Sequence, residues 1–318
     1  MLKRVTERFP MRVTPHYLSL IRAVDDPIAK QVLPDARELD DHRSDPDPLK
    51  EESQAPVAQI VHRYPHRAIF LVSNQCPAYC RFCMRKRRIN HDAQVTPEAI
   101  RQGIDYIGST PQINEVILSG GDPFTLSDAR LVKICKALHS IPHLRILRIH
   151  TRIPNSWPQR ITRETAKALS QFHPLYINIH FNHPDEITPL ARQACAMLAD
   201  AGIPLGSQTV MLRGVNDDAA TLHRLFQSLL EIRVRPYYLH QLDRVPGTAH
   251  FRVPIPRALD LLRELRKTLS GQAMPHFMVD LPGGGGKVEM LHETCLAKND
   301  HQWILQNFDN RRFTYPLD

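Results

Sequence analysis

The chain has 318 residues, 42% of them hydrophobic and 23% charged, which is ordinary globular usage and supplies enough apolar material for one large core. Its formal net charge of +8 is scattered rather than gathered into a block, so a solvated basic surface is expected and a nucleic-acid-binding protein is not. The stretch Met1-Leu2-Lys3-Arg4-Val5-Thr6 lacks the apolar core of a signal peptide and no apolar run reaches membrane-spanning length, so a cytoplasmic chain without a membrane partner is expected.

In chain order, residues 1–60 are rich in Pro, Asp and Arg, with an apolar helical stretch near Tyr17 to Ile28 and no strand alternation. They read as an N-terminal helical extension. From residue 68, short apolar runs alternate with amphipathic segments. Strands are predicted at 68–74, 115–119, 144–150, 175–181, 204–212 and 234–240, and helices at 97–109, 127–139, 162–172, 188–201, 218–231 and 255–270. Thr96 before Pro97 and Ser127 before Asp128 are helix-start signals. A seventh short strand at 276–280 leads into Gly283-Gly284-Gly285-Gly286-Lys287. Six βα units and one further strand fall short of the eight that close a full barrel. The expected architecture is α/β: an open, partial (β/α)6 barrel over 61–281, with a short C-terminal extension over 282–318. In parallel sheets ligands meet the carboxyl ends of strands, and the unusual motifs here follow the apolar runs.

Six cysteines occur, and Cys76, Cys80 and Cys83 fall within eight residues just after the first predicted strand. In a reducing compartment so tight a group reads as metal ligation rather than disulfide bonding. Three thiolates are one ligand short of a closed zinc site, which would have to recruit His62 or His66; a four-iron cubane on three cysteines instead leaves one iron open. Cys135 and Cys195 lie in helical patterns and read as small buried apolar side chains, while Cys295 is left undecided. The run Arg85, Lys86, Arg87 and Arg88 directly follows the motif, where cations could hold phosphate or carboxylate.

The Cys-x3-Cys-x2-Cys spacing, with Phe82 before the last cysteine, resembles the radical S-adenosylmethionine superfamily. The resemblance implies a [4Fe–4S] cluster on Cys76, Cys80 and Cys83, whose open iron is chelated by S-adenosylmethionine. Cleavage of that cofactor after electron transfer gives a 5′-deoxyadenosyl radical, with flavodoxin or ferredoxin as the kind of electron donor implied. By the same resemblance Ser119-Gly120-Gly121-Asp122-Pro123 meets the amino group of S-adenosylmethionine, glycine allowing close backbone approach. His180 and Gln208 are further cofactor-facing positions, although His180 also fits a satisfied core histidine.

The glycine run fails as a phosphate-binding loop, because Leu281 and Val288 stand where that motif needs Gly and Ser or Thr. A mobile glycine segment delivering one lysine suits Schiff-base chemistry with pyridoxal phosphate. From about residue 9 to residue 316 the chain resembles the lysine 2,3-aminomutase family, including Phe9-Pro10-Met11-Arg12-Val13-Thr14, His62-Arg63-Tyr64-Pro65-His66-Arg67, Gly214-Val215-Asn216-Asp217 and Pro236-Tyr237-Tyr238-Leu239. That resemblance makes Lys287 the catalytic lysine carrying pyridoxal 5′-phosphate and places Arg63, Tyr64 and Arg67 around the phosphate. It assigns Arg85 to the substrate carboxylate and Asp243 and Asp280 to the distal group. Two acids favour a distal ammonium and repel a distal carboxylate, and the family's glutamate enzymes replace both.

The implied activity is isomerisation of L-lysine to β-lysine; action on arginine or glutamate is the alternative, and the product could serve modification of elongation factor P. Longer family members carry zinc-binding cysteines near the C-terminus. This chain has only Cys295 there, so no structural zinc is expected and a homo-oligomer would need another fastening.

Overall fold

The alternation of apolar runs and amphipathic segments becomes an alternation of strands and helices in the computed structural model, which describes residues 2–41, 44–89, 95–291, 294–298, 302–307 and 309–317. The main sheet starts at β1 (Ile60–Tyr64), antiparallel to β2 (Arg67–Ser73). It continues in parallel through β3 (Glu115–Gly120), β4 (Ile146–Thr151), β5 (Leu175–His180), β6 (Leu205–Val210), β7 (Val234–His240) and β8 (His276–Leu281), and ends on β9 (Gly286–Glu289), antiparallel to β8. Neighbours in the sheet are neighbours in sequence, as right-handed βα winding around a barrel requires. Val116, Ile117 and Leu118 are buried in succession along β3, the continuous apolar run of a strand covered on both faces.

A helix follows each of β2 to β7: Pro97–Gly108, Asp128–His139, Arg163–Leu169, Pro189–Asp200, Ala219–Glu231 and Ile255–Leu265. In Ala219–Glu231 the buried residues Leu222, Leu225, Phe226 and Leu229 stand at i, i+3, i+4 and i+7, one face laid on the sheet. Thr96 and Ser127 cap their helices, each side chain accepting an N–H from three residues on. Cys135 and Cys195 are buried in the core, where burial pushes each thiol up to about 12, and they are inert as expected.

The ends differ from the sequence expectation. The helix expected near 17–28 is broken into Pro15–Leu18 and Pro27–Val32. Asp26 causes the break: its carboxylate caps the second helix at Ala29 and also takes the N–H groups of Arg22 and Ala23, which fixes a turn between them. A further helix, Leu2–Arg8, precedes both. β9 carries the barrel sheet beyond residue 281, and a separate antiparallel sheet follows, of β10 (Cys295–Lys298), β11 (Gln302–Gln306) and β12 (Arg312–Pro316).

β1 and β9 are the two free edges of the main sheet, joined by one side-chain hydrogen bond, with a backbone hydrogen bond between the segments that precede them. The Lys287 N–H donates to Tyr64 Oη at 2.9 Å, and the Gly283 N–H donates to the Pro48 carbonyl at 2.9 Å. Among the described residues no helix is long and apolar enough to cross a membrane.

Candidate active site

The loop that leaves β2 carries Cys76, Cys80 and Cys83 onto the wall of a cavity of about 300 Å³ at the carboxyl ends of the strands. Gly120 and Gly121 hold that loop against β3. A Cβ on Gly120, whose φ is +119°, would stand 2.2 Å from the Ser73 carbonyl oxygen, and one on Gly121 would stand 2.3 Å from that of Gln75. The Gly121 and Asp122 N–H groups donate to the same two carbonyls at 2.6 and 2.7 Å. The close approach of the cysteine loop therefore itself demands glycine at both positions. Asp122 also serves the fold: its carboxylate accepts from Thr151 Oγ1, the Arg152 N–H and the Phe124 N–H, and burial pushes it up to about 6.

Burial raises the Cys76 and Cys83 thiols, Cys83 to about 11, and each is raised further by a neighbouring cysteine. Among the described residues no three or more His, Cys, Asp or Glu side chains form a ready-made metal cage, so the three thiols share a loop and a cavity wall rather than a closed ligand set. Three thiols on one cavity wall suit a cation that would deprotonate and gather them. The histidines a zinc site would recruit are engaged elsewhere, His62 with Tyr106 Oη at 2.7 Å and His66 with the Gln112 carbonyl at 3.1 Å. Cys295 lies on β10, outside the cavity wall.

His180 and Gln208 project from the ends of β5 and β6 into the same cavity. Burial lowers His180 to about 4, so the ring is neutral. Asn182 Oδ1 already accepts from the Val210 N–H, so His180 donates through Nε2 at 3.1 Å and keeps Nδ1 as an acceptor. Phe82 meets this ring edge-on at 5.5 Å.

At the other end of the cavity stand Lys287 and the two acids. The glycine run forms a tight turn that only glycine can follow. Gly283, Gly284 and Gly286 have φ of +72°, +85° and +90°, and a Cβ on Gly284 would lie 1.8 Å from Gln54 Nε2. This turn sets Lys287 Nζ 2.5 Å from Asp280 Oδ2. Asp280 Oδ1 is buried without a hydrogen-bond partner, with Arg63 Nη1 at 3.7 Å. Asp243 is pushed up to about 7, first by burial and then by the Asp280 charge, against the pull of Lys287. Tyr64 adjoins Lys287, accepting its N–H, and the Arg67 guanidinium lies 4.6 Å above the Tyr64 ring. Arg63 is tied by Gln54 Oε1 and the Leu49 carbonyl.

Arg85 reaches the cavity already paired with Glu51, Nη2 to Oε1 at 2.7 Å, while Nη1 donates to Ser119 Oγ. Burial would raise Glu51, but Arg85, Arg87 and Arg88 together hold it below the usual carboxylate range. Glu51 was not singled out from sequence, because it lies in an irregular segment 34 residues from its partner. Arg148, on β4 and on the cavity wall, bound to Glu115 at 2.7 Å, was not singled out either. Beyond Arg85 in the same run, Arg87 pairs with Asp47 at 2.6 Å and Glu52 at 3.1 Å, and Lys86 donates to the Arg81 carbonyl.

Comparison with known proteins agrees with this layout. The radical SAM superfamily pattern matches residues 70–226, and the pattern described as lysine-2,3-aminomutase matches residues 262–317. L-lysine 2,3-aminomutase of Fusobacterium nucleatum is 44% identical over 98% of this chain and 74% of its own length. That of Clostridium subterminale is 45% identical over 96% of this chain and 74% of its own length. Glutamate 2,3-aminomutase of Clostridioides difficile is 41% identical over 98% and 74%. The family works with a [4Fe–4S] cluster, S-adenosylmethionine and pyridoxal phosphate, and its members are isomerases. With a cysteine loop, a strand-end cavity and near-full-length likeness all in agreement, the chain belongs to the lysine 2,3-aminomutase family of radical SAM enzymes.

Proposed function

We propose that this protein converts L-lysine to β-lysine by moving the amino group from C2 to C3, with the cluster on Cys76, Cys80 and Cys83 and pyridoxal phosphate on Lys287. The observation that carries the substrate is the Asp280 carboxylate. It binds a primary alkylammonium, Lys287 Nζ, through one oxygen and keeps its other oxygen buried without a hydrogen bond, with Arg63 at 3.7 Å, beside a second acid, Asp243. The distal ammonium of lysine is the same chemical group, and a distal carboxylate would meet two acids.

When bound, the cluster with S-adenosylmethionine supplies a carbon radical that removes hydrogen from C3, and pyridoxal phosphate supplies the conjugation across which nitrogen moves. The protein's own residues orient and exclude water. Arg85, held by Glu51, offers its remaining N–H groups to the substrate carboxylate. Arg63, Arg67 and Tyr64 take the cofactor phosphate, while Gly120, Gly121, Asp122, His180 and Gln208 form the S-adenosylmethionine side of the cavity. Fixed ends hold C3 of the substrate in one place. The proposal keeps the three-part chain, with 1–60 packed on the barrel and 282–318 carrying Lys287, and takes its electron from an external one-electron donor.

Anaerobic reconstitution with iron, sulfide, both cofactors and a reductant, followed by incubation with lysine, arginine or glutamate, tests the assignment. β-Lysine is the expected product. Conversion of glutamate or arginine alone would overturn it.

A further inference from the structure

Arg152 follows β4 directly, and its guanidinium links the cysteine loop to the buried interior. Nη1 donates to Cys80 Sγ at 2.7 Å. Nη2 donates to Glu186 Oε1 at 2.6 Å, Gln31 Oε1 at 2.6 Å and Tyr17 Oη at 2.7 Å. Glu186 is fixed in turn, its side chain fully buried and its Oε2 accepting the N–H groups of Asn182 and His183. Tyr17 Oη donates to Glu186 Oε1 at 2.6 Å, and Asn182 Nδ2 donates to Gln31 Oε1 at 3.0 Å. The Phe82 ring lies 5.4 Å from the guanidinium carbon, so the cation rests on the aromatic residue next to Cys83. β4, β5 and the N-terminal helices thus converge on one sulfur.

Resting on the proposed reading of Cys80 as a cluster ligand, we propose that Arg152 is a positioning residue that fixes the Cys80 sulfur and raises the reduction potential of the cluster, with Glu186 as its counterweight. One electron from an external reductant takes a [4Fe–4S] core from the 2+ to the 1+ state, adding one negative charge shared over iron and sulfur. A buried cation donating a hydrogen bond to a ligand sulfur stabilises that added charge more than the oxidised state. A buried carboxylate behind the cation acts in the opposite sense, and low local polarity strengthens both effects. The pair therefore predicts shifts of opposite sign.

The test is a dye-mediated redox titration of the reconstituted protein, followed by the electron paramagnetic resonance signal of the reduced cluster, alongside iron content and S-adenosylmethionine affinity. R152Q should retain iron but lower the ratio of reduced to oxidised cluster about tenfold at a fixed potential, a midpoint about 59 mV more negative. E186Q should move the midpoint upward. R152K, which keeps the charge but cannot span both Cys80 and Glu186, should give a smaller shift in the same direction as R152Q, and it reads the same quantity if R152Q does not fold. Unchanged midpoints with iron content intact would overturn the proposal, as would a loss of S-adenosylmethionine affinity without a midpoint shift. If the wild-type protein assembles no cluster, it is the reading of the cysteine loop that fails.

Discussion

Asp243 sits at about 7 because burial and the neighbouring Asp280 charge both oppose its ionisation. A carboxyl raised in this way is protonated below that value in the free site and ionises when a cation arrives beside it. Lysine binding should therefore release a proton near neutrality. KM for lysine should fall as pH rises through about 7, read from initial rates across that window, and a KM flat in pH would refute the coupling. D243N should weaken lysine binding by roughly 1.5–3 kcal/mol, the range for a hydrogen bond to a charged group, and flatten the profile. The raised value also favours the folded state while the group is protonated, an advantage lost as pH rises through about 7, so D243N should be relatively more stable at pH 8 than at pH 5 by thermal unfolding. K287A should abolish the visible absorbance gained on adding pyridoxal phosphate; retention of that band would remove Lys287 from its role. The cysteine spacing stands out in the sequence by itself, whereas Lys287, Asp243 and Asp280 took their roles only through the family resemblance, since a lone Asp after a strand reads equally as a cap or turn residue. Glu51 was not singled out, since an acid in an aperiodic stretch gives no sign that it will be buried against Arg85.

Among the elements, the parallel strands and their helices could be read to within a few residues, because burial leaves an apolar run in β3, an alternation in β4 and β6, and a helical stripe where packing is one-sided. β1 has only its first two residues buried, and β9 begins inside a glycine run, so neither carries a strand pattern. β10 to β12 are largely exposed, and alternation has nothing to record there. Gly120 and Gly121 were visible, and so was the need for close backbone approach, but not that the cysteine loop makes it, because the Gln75 carbonyl that crowds Gly121 comes from a different βα unit. G121A should force the cysteine loop away from β3 and cost about 1–3 kcal/mol, as overpacking at a backbone contact does. Thermal unfolding should show the loss, and iron content per chain should fall with it; an unchanged iron content would mean that the loop does not depend on this weld.

For the whole molecule, the main sheet is a barrel left open between β1 and β9, and a hydroxyl on one edge satisfies an amide on the other. Y64F should cost about 0.5–1.5 kcal/mol in stability and speed hydrogen exchange at the Lys287 amide, since it removes one hydrogen bond at a place where the sheet has no partner strand. Exchange unaltered at that amide would show that the seam is held by the Gly283 contact instead. The Lys287–Asp280 pair has a kinetic corollary. On the proposed assignment, Lys287 fills the seat of the substrate's distal amine until pyridoxal phosphate draws it away, so loading would follow a fixed sequence, aldehyde before amino acid. Calorimetry on cofactor-free protein should therefore register little lysine uptake, and the heat of binding should appear once the aldehyde has been supplied.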